Sequence, residues 1–181
     1  MRNVAFVSML LVASASLPSQ AGEMAFGIGL GLNTGITTTQ DSEGTSFGTG
    51  DQETTTGFSL LAKFEINKAW GLSATYRQLD GEDDGLGEQQ YTQIGIHAIR
   101  TWRAGKLVRP HFKFGIVQTE LEYSSPFASA SQDGFGPSLG GGIEVGSKLV
   151  SFLAELDSTG VELGDEVRGV ASWTAGVIFK F

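Results

Sequence analysis

Apolar side chains recur at every second position in eight separate runs of this chain. Met24, Phe26, Ile28, Leu30 and Leu32 alternate with Ala25, Gly27, Gly29 and Gly31. The same rhythm returns over Phe58–Ile66, Trp70–Tyr76, Ile94–Ala98, Val108–Ile116, Phe135–Val145, Val150–Leu156 and Trp173–Phe181. A period of two means a strand with two unlike faces, because successive side chains point to opposite sides of the pleat. Each run marks a strand, and the spacing between turns leaves each strand the roughly 9–11 residues that it needs to cross a bilayer at a tilt. No helical period and no second domain are visible.

The second face decides what kind of barrel this is. A soluble barrel turns its large apolar residues inward and its polar ones to water. Here the face opposite the apolar one carries Lys63, Glu65, Arg77, His97, Arg109, His111, Lys113, Glu144, Glu155 and Lys180, interleaved with many of the chain's 26 glycines. That set is too small and too charged to wrap an apolar core, but it suits a narrow polar interior with lipid outside. The expected fold is therefore all-β: an eight-stranded antiparallel up-and-down transmembrane β-barrel. Such charges suggest either a pore or a network that fills the barrel. Eight strands leave an interior just wide enough for side chains, and charges there must pair. The expectation is a closed lumen, with Lys63, Arg77, Arg109 and Lys113 finding partners among Glu65, Glu144 and Glu155.

Residues 1–21 read as an export signal. Arg2 is its basic start, Val4–Ala15 its apolar stretch, and Ser19-Gln20-Ala21 places small residues at the cleavage site. The apolar run falls short of the ~20 residues of a spanning helix. The expected domains are thus a signal peptide, 1–21, and an outer-membrane barrel, 22–181. Connections alternate between short turns (67–69, 103–105, 146–148) and long loops (39–56, 80–90, 120–134, 157–168). A three-residue turn at 103–105 would set His97 opposite His111. The long loops hold most of the 20 acidic residues, while Lys68, Arg100, Arg103, Lys106 and Lys148 flank the short turns. With both termini in the periplasm, the acidic loops face outward. They serve solubility and mutual repulsion, or hold divalent cations beside lipopolysaccharide. Asp80–Gly85 resembles a calcium loop, but Tyr91 stands where an EF-hand needs its bidentate Glu.

Other chemistries find little support. A net charge of -8 argues against nucleic acid. Without cysteine there is no disulfide, thiolate metal site or cysteine nucleophile. Two inward histidines make at most half a metal site. Lipid A deacylation would use a lipid-facing His/Ser/Glu set, whereas His97 and His111 have inward parity and neither is followed two residues later by Ser. No catalytic, cofactor or metal residues are expected.

The last eight residues, Thr174-Ala175-Gly176-Val177-Ile178-Phe179-Lys180-Phe181, match an outer-membrane assembly signal at Thr174, Gly176, Phe179 and Phe181. Arg109–Gly115 and Gly134–Gly142 are similar to the fifth and sixth strands of small barrels. Through these motifs the whole mature chain resembles the small eight-stranded outer membrane protein β-barrel family of OmpA/OmpX-like barrels, without a periplasmic domain. The resemblance implies a monomer in the Gram-negative outer membrane, exported through the periplasm and inserted by the barrel-assembly machinery. Its partners there are membrane lipid and lipopolysaccharide. It implies architecture more than activity, and the role expected first is non-enzymatic, in envelope integrity or surface adhesion. The alternatives are a small channel for small or hydrophobic solutes and, further off, a lipid A-modifying enzyme.

Overall fold

A computed structural model describes residues 25–41, 53–83, 87–102, 106–124, 129–163 and 166–181. The expected signal peptide and the 103–105 turn lie outside the described residues. Eight strands follow one another: β1 (Ala25–Asp41), β2 (Glu53–Glu65), β3 (Trp70–Asp83), β4 (Gly87–Thr101), β5 (Val108–Ser124), β6 (Ser129–Gly146), β7 (Val150–Leu163) and β8 (Glu166–Lys180). Each pairs antiparallel with the next, and β8 returns to β1, closing the barrel. Closure removes the free edges that lipid could not solvate.

The register fixes the barrel's width. Thr159 faces Ser138, and the Cα partners continue through Gly115, His97, Ser73, Lys63 and Gly27 to Lys180. The Lys180 amide donates to the Leu149 carbonyl at 2.8 Å. One circuit thus returns to β7 ten residues from its start, a shear of about ten that tilts the strands by about 40°.

Local chemistry makes the short turns. Asn67 Oδ1 accepts from the amides of Ala69 and Trp70 at 2.9 and 3.0 Å, closing the β2–β3 turn. Ser147 Oγ does the same for Leu149 and Val150 at 3.2 and 3.1 Å. Both are side-chain mimics of a backbone turn. The β4–β5 connection is longer than expected: its ladder closes with the Trp102 amide on the Pro110 carbonyl at 2.9 Å. His97 therefore faces Gly115, and His111 faces Thr101. The shift is an even number of residues, so both histidines keep their inward parity.

Outside, Leu30, Leu32, Phe58, Leu72, Ile96, Phe112, Phe114, Ile116, Leu139, Phe152, Trp173 and Phe179 form an exposed apolar belt. Arg100 stacks over Trp70 at 5.0 Å from the ring centroid, at the level of the short turns. The belt ends upward at Ile36, Phe58, Ile116, Phe135 and Leu156. Beyond it the strands continue, a departure from the expected loops. Most of 80–90, 120–134 and 157–168 is paired strand: β3 and β4 pair to Asp83–Gly87, β5 and β6 to Ser124–Ser129, and β7 and β8 to Leu163–Glu166. Above the lipid the outward face is polar, so the hydropathy rhythm fades. The backbone ladder does not need that rhythm and persists.

Candidate functional site

The lumen is filled in layers, and inward parity places each layer. Nearest the short turns, Glu144 on β6 is fully buried and draws three cations from other strands. Lys63 Nζ lies 2.8 Å from it, Arg109 Nη2 2.7 Å and Lys180 Nζ 2.6 Å. Glu65, less buried, takes Lys180 at 2.9 Å and Lys63 at 3.5 Å. Arg109 also donates to Ser151 Oγ at 2.6 Å. Leu61, Leu153 and Ile178 cluster just above, sealing this layer with apolar surface.

The next layer pairs Lys113 with Glu155 at 2.6 Å and with Asp157 at 3.0 Å, and His111 Nε2 with Glu155 at 2.7 Å. Arg77 meets Asp157 at 2.5 Å and donates to Gln93 Oε1 at 3.3 Å. Gln93 in turn donates to Thr119. Glycines on β6 make the space. A Cβ on Gly140 would stand 2.0 Å from Asp157 Oδ1, and one on Gly142 would stand 2.8 Å from Glu155 Cγ. His97 Nε2 lies 3.2 Å from Ser138 Oγ, both side chains being buried. This resembles a nucleophile–base pair, but among the described residues no carboxylate is bonded to the other ring nitrogen. The cavity beside it, lined by Arg77, His97, Ser138 and Asp157, measures about 10 Å³, room for about one water.

At the outer end the interior turns apolar. Leu79, Tyr91, Leu121, Val161 and Val170 pack together and are almost fully buried. Arg168 Nη1 donates to the Tyr91 hydroxyl at 3.1 Å. Among the described residues, then, ionic layers and an apolar layer occupy the lumen in series.

The model of the outer membrane protein β-barrel domain matches residues 7–181. The chain belongs to that family. Comparison with curated protein sequences gives no match. Among solved barrels, the chain is similar to neisserial surface protein A, with TM-score 0.71 and 15% identity, over 87% of this chain and 99% of that one. It is similar to Ail, the attachment invasion locus protein of Yersinia pestis, solved with the heparin analogue sucrose octasulfate. That likeness has TM-score 0.63 and 19% identity over 88% of this chain and 99% of Ail. The outer membrane protein OprG of Pseudomonas aeruginosa gives TM-score 0.62 and 13% identity, over 87% of this chain and 95% of that one. At such identities the likeness is one of fold.

Within this outer-membrane barrel, Lys63, Glu65, Arg109 and Glu144 come together in one cluster and Lys113 and Glu155 in another. Arg77 does not reach the three carboxylates singled out from sequence. Its partner is Asp157, which the sequence pattern puts in the long loop 157–168 and the structure puts in β7. The apolar outer layer was also missed. The signal was present: Leu79, Tyr91, Leu121, Val161 and Val170 each continue the inward parity of Arg77, Gln93, Thr119, Thr159 and Ser172. Of the terminal motif, Thr174 is buried and donates to Asn33 Oδ1 at 2.5 Å. Gly176 lies where a Cβ would stand 2.4 Å from the Leu30 carbonyl oxygen. Phe179 and Phe181 face outward, and Phe181 exchanges backbone hydrogen bonds with Phe26 at 2.8 and 3.4 Å.

Proposed function

We propose that this protein is a closed, non-enzymatic barrel that works at the outer surface of the outer membrane, supporting the envelope and presenting an acidic rim to partners. One observation carries the reading: the lumen is filled from the Glu144 cluster to the Leu79–Tyr91–Val161 layer. Among the described residues, two cavities beside Arg77 hold about 10 Å³ each, far less than a solute needs. Buried charges matched in this way rigidify a lumen more readily than they conduct through it. Chemistry at His97 and Ser138 has no room for a substrate. What remains accessible is the outside: an apolar belt for lipid, and above it Asp80, Glu88, Glu120, Glu122, Asp133 and Glu162 facing outward.

This reading places a monomer in lipid and lipopolysaccharide, delivered through the periplasm by an export signal at 1–21 and the assembly machinery. The acidic rim favours cationic partners, unlike the polyanion with which Ail was solved. The test is planar-bilayer recording on the purified, refolded protein, alongside detergent sensitivity of a deletion strain. Expected are a silent bilayer and a sensitised strain. Steady single-channel conductance or measurable solute flux would support the channel alternative and overturn the closed barrel.

A further inference from the structure

One seam of the barrel stops short. β6 and β7 pair only from Ser138–Thr159 down to Gly146–Ser151, although β6 begins at Ser129 and β7 runs to Leu163. Pro137 explains the stop. The Ser147 amide donates to the Val150 carbonyl at 2.8 Å, so odd-numbered β6 residues turn their backbone groups toward β7. Pro137 is odd, and it lacks the N–H that the next rung, at Gly160, requires. The other side of β6 agrees. The Gly146 amide donates to the Leu107 carbonyl at 2.9 Å, so even-numbered residues bond β5, and that ladder continues unbroken to Ser124–Ser129.

The break lies where the apolar belt ends, as it must, since unpaired backbone groups are tolerated in water and not in hydrocarbon. Extended at its own register, β7 would reach only Gly134 with Leu163, so Ser129–Asp133 rise past it. These five residues are exposed whether their side chains have inward or outward parity. Among the described residues, the N–H and C=O groups of Ser129, Ser131 and Asp133 therefore form a free, regular strand edge.

Charge narrows what fits it. On the outward face beside the edge, Glu120 stands directly across from Asp133, and Glu122 across from Ser131. Like charges so placed repel. No Lys or Arg occurs between Arg77 and Arg100 or between Lys113 and Lys148. A second copy in the same membrane is a poor occupant. Two upright barrels with strands tilted by about 40° would cross their β6 edges at about 80° and could not share a ladder. We propose that the outer edge of β6, Ser129–Asp133, is a strand-addition site for an extended basic polypeptide segment. Its backbone would join the ladder at the odd-numbered residues, with Lys or Arg at alternate positions answering Asp133, Glu120 and Glu122.

The proposal rests on the surface-acting reading, and the two fail separately, because an open channel would leave this edge unchanged. The experiment uses the full barrel in lipid nanodiscs and two short synthetic peptides, one alternating Thr and Lys, the other Thr and Glu. Expected are binding of the lysine peptide alone, weakening with salt, and slowed amide hydrogen exchange at Ser131 and Asp133. Ser131→Pro removes an edge donor while sparing the β5 bonds, and should weaken binding about tenfold. Glu120→Gln with Glu122→Gln should erase the preference for lysine. Undiminished binding by Ser131→Pro, equal binding of both peptides, no binding of either, or unchanged exchange at Ser131 and Asp133 in the unsubstituted protein would each overturn it.

Discussion

Glu144→Ala isolates the energetics of the filled lumen. The carboxylate is wholly buried and contacts Lys63, Arg109 and Lys180 at 2.8, 2.7 and 2.6 Å. At an effective dielectric of about 20, each contact is a gross attraction of about 6 kcal/mol. Repulsion among the three cations and the desolvation of all four groups cancel most of that. What survives on removing the carboxylate is a cluster of three cations, of which Lys63 and Lys180 keep Glu65 as a partner. Uncompensated buried charge of this kind costs about 3–5 kcal/mol. Glu65 limits the loss for Lys180 and Lys63, and Ser151 Oγ does so in part for Arg109. Glu144→Gln retains the shape and one acceptor and should fall between the two. The assay is reversible urea unfolding in lipid vesicles, read from tryptophan fluorescence and heat-modifiable migration. A Glu144→Ala barrel within about 1 kcal/mol of the parent would refute the view that this cluster is a tightly coupled buried network.

Three further outcomes are expected. Gly140→Ala would press a methyl onto Asp157 Oδ1 and disturb the Lys113–Asp157 pair, lowering stability by about 1–3 kcal/mol in the same unfolding assay. Phe112→Arg sets a charge in the middle of the lipid belt and should cost about 2–4 kcal/mol in vesicles, but much less in short-chain detergent. Equal costs in the two media would argue against lipid contact there. An epitope inserted after Thr45, between β1 and β2, should bind antibody on intact cells, while one inserted after Lys148 should bind only after permeabilisation; the reverse pattern would invert the topology.

Strand count, the face of each side chain and the barrel's class were legible in the sequence, because all three follow from the two-residue pleat, a strictly local property. Inward parity alone brought Lys63, Arg109 and Glu144 onto one surface. It could not say which cation meets which carboxylate. Lys63 and Glu144 are 81 residues apart and touch across the lumen only because the circuit closes with its particular shear and radius. The same closure lowered Asp157 from an expected loop to the side of Arg77 and gathered Leu79, Tyr91, Leu121, Val161 and Val170 into one layer. Strand ends were illegible for a related reason: above the lipid, water accepts any outward side chain, so pairing continues after the apolar rhythm has stopped. The end of the β6–β7 seam at Pro137 required both kinds of information. The sequence supplied a residue without an amide hydrogen, and the tertiary register turned that residue toward β7, where the missing donor ends the ladder.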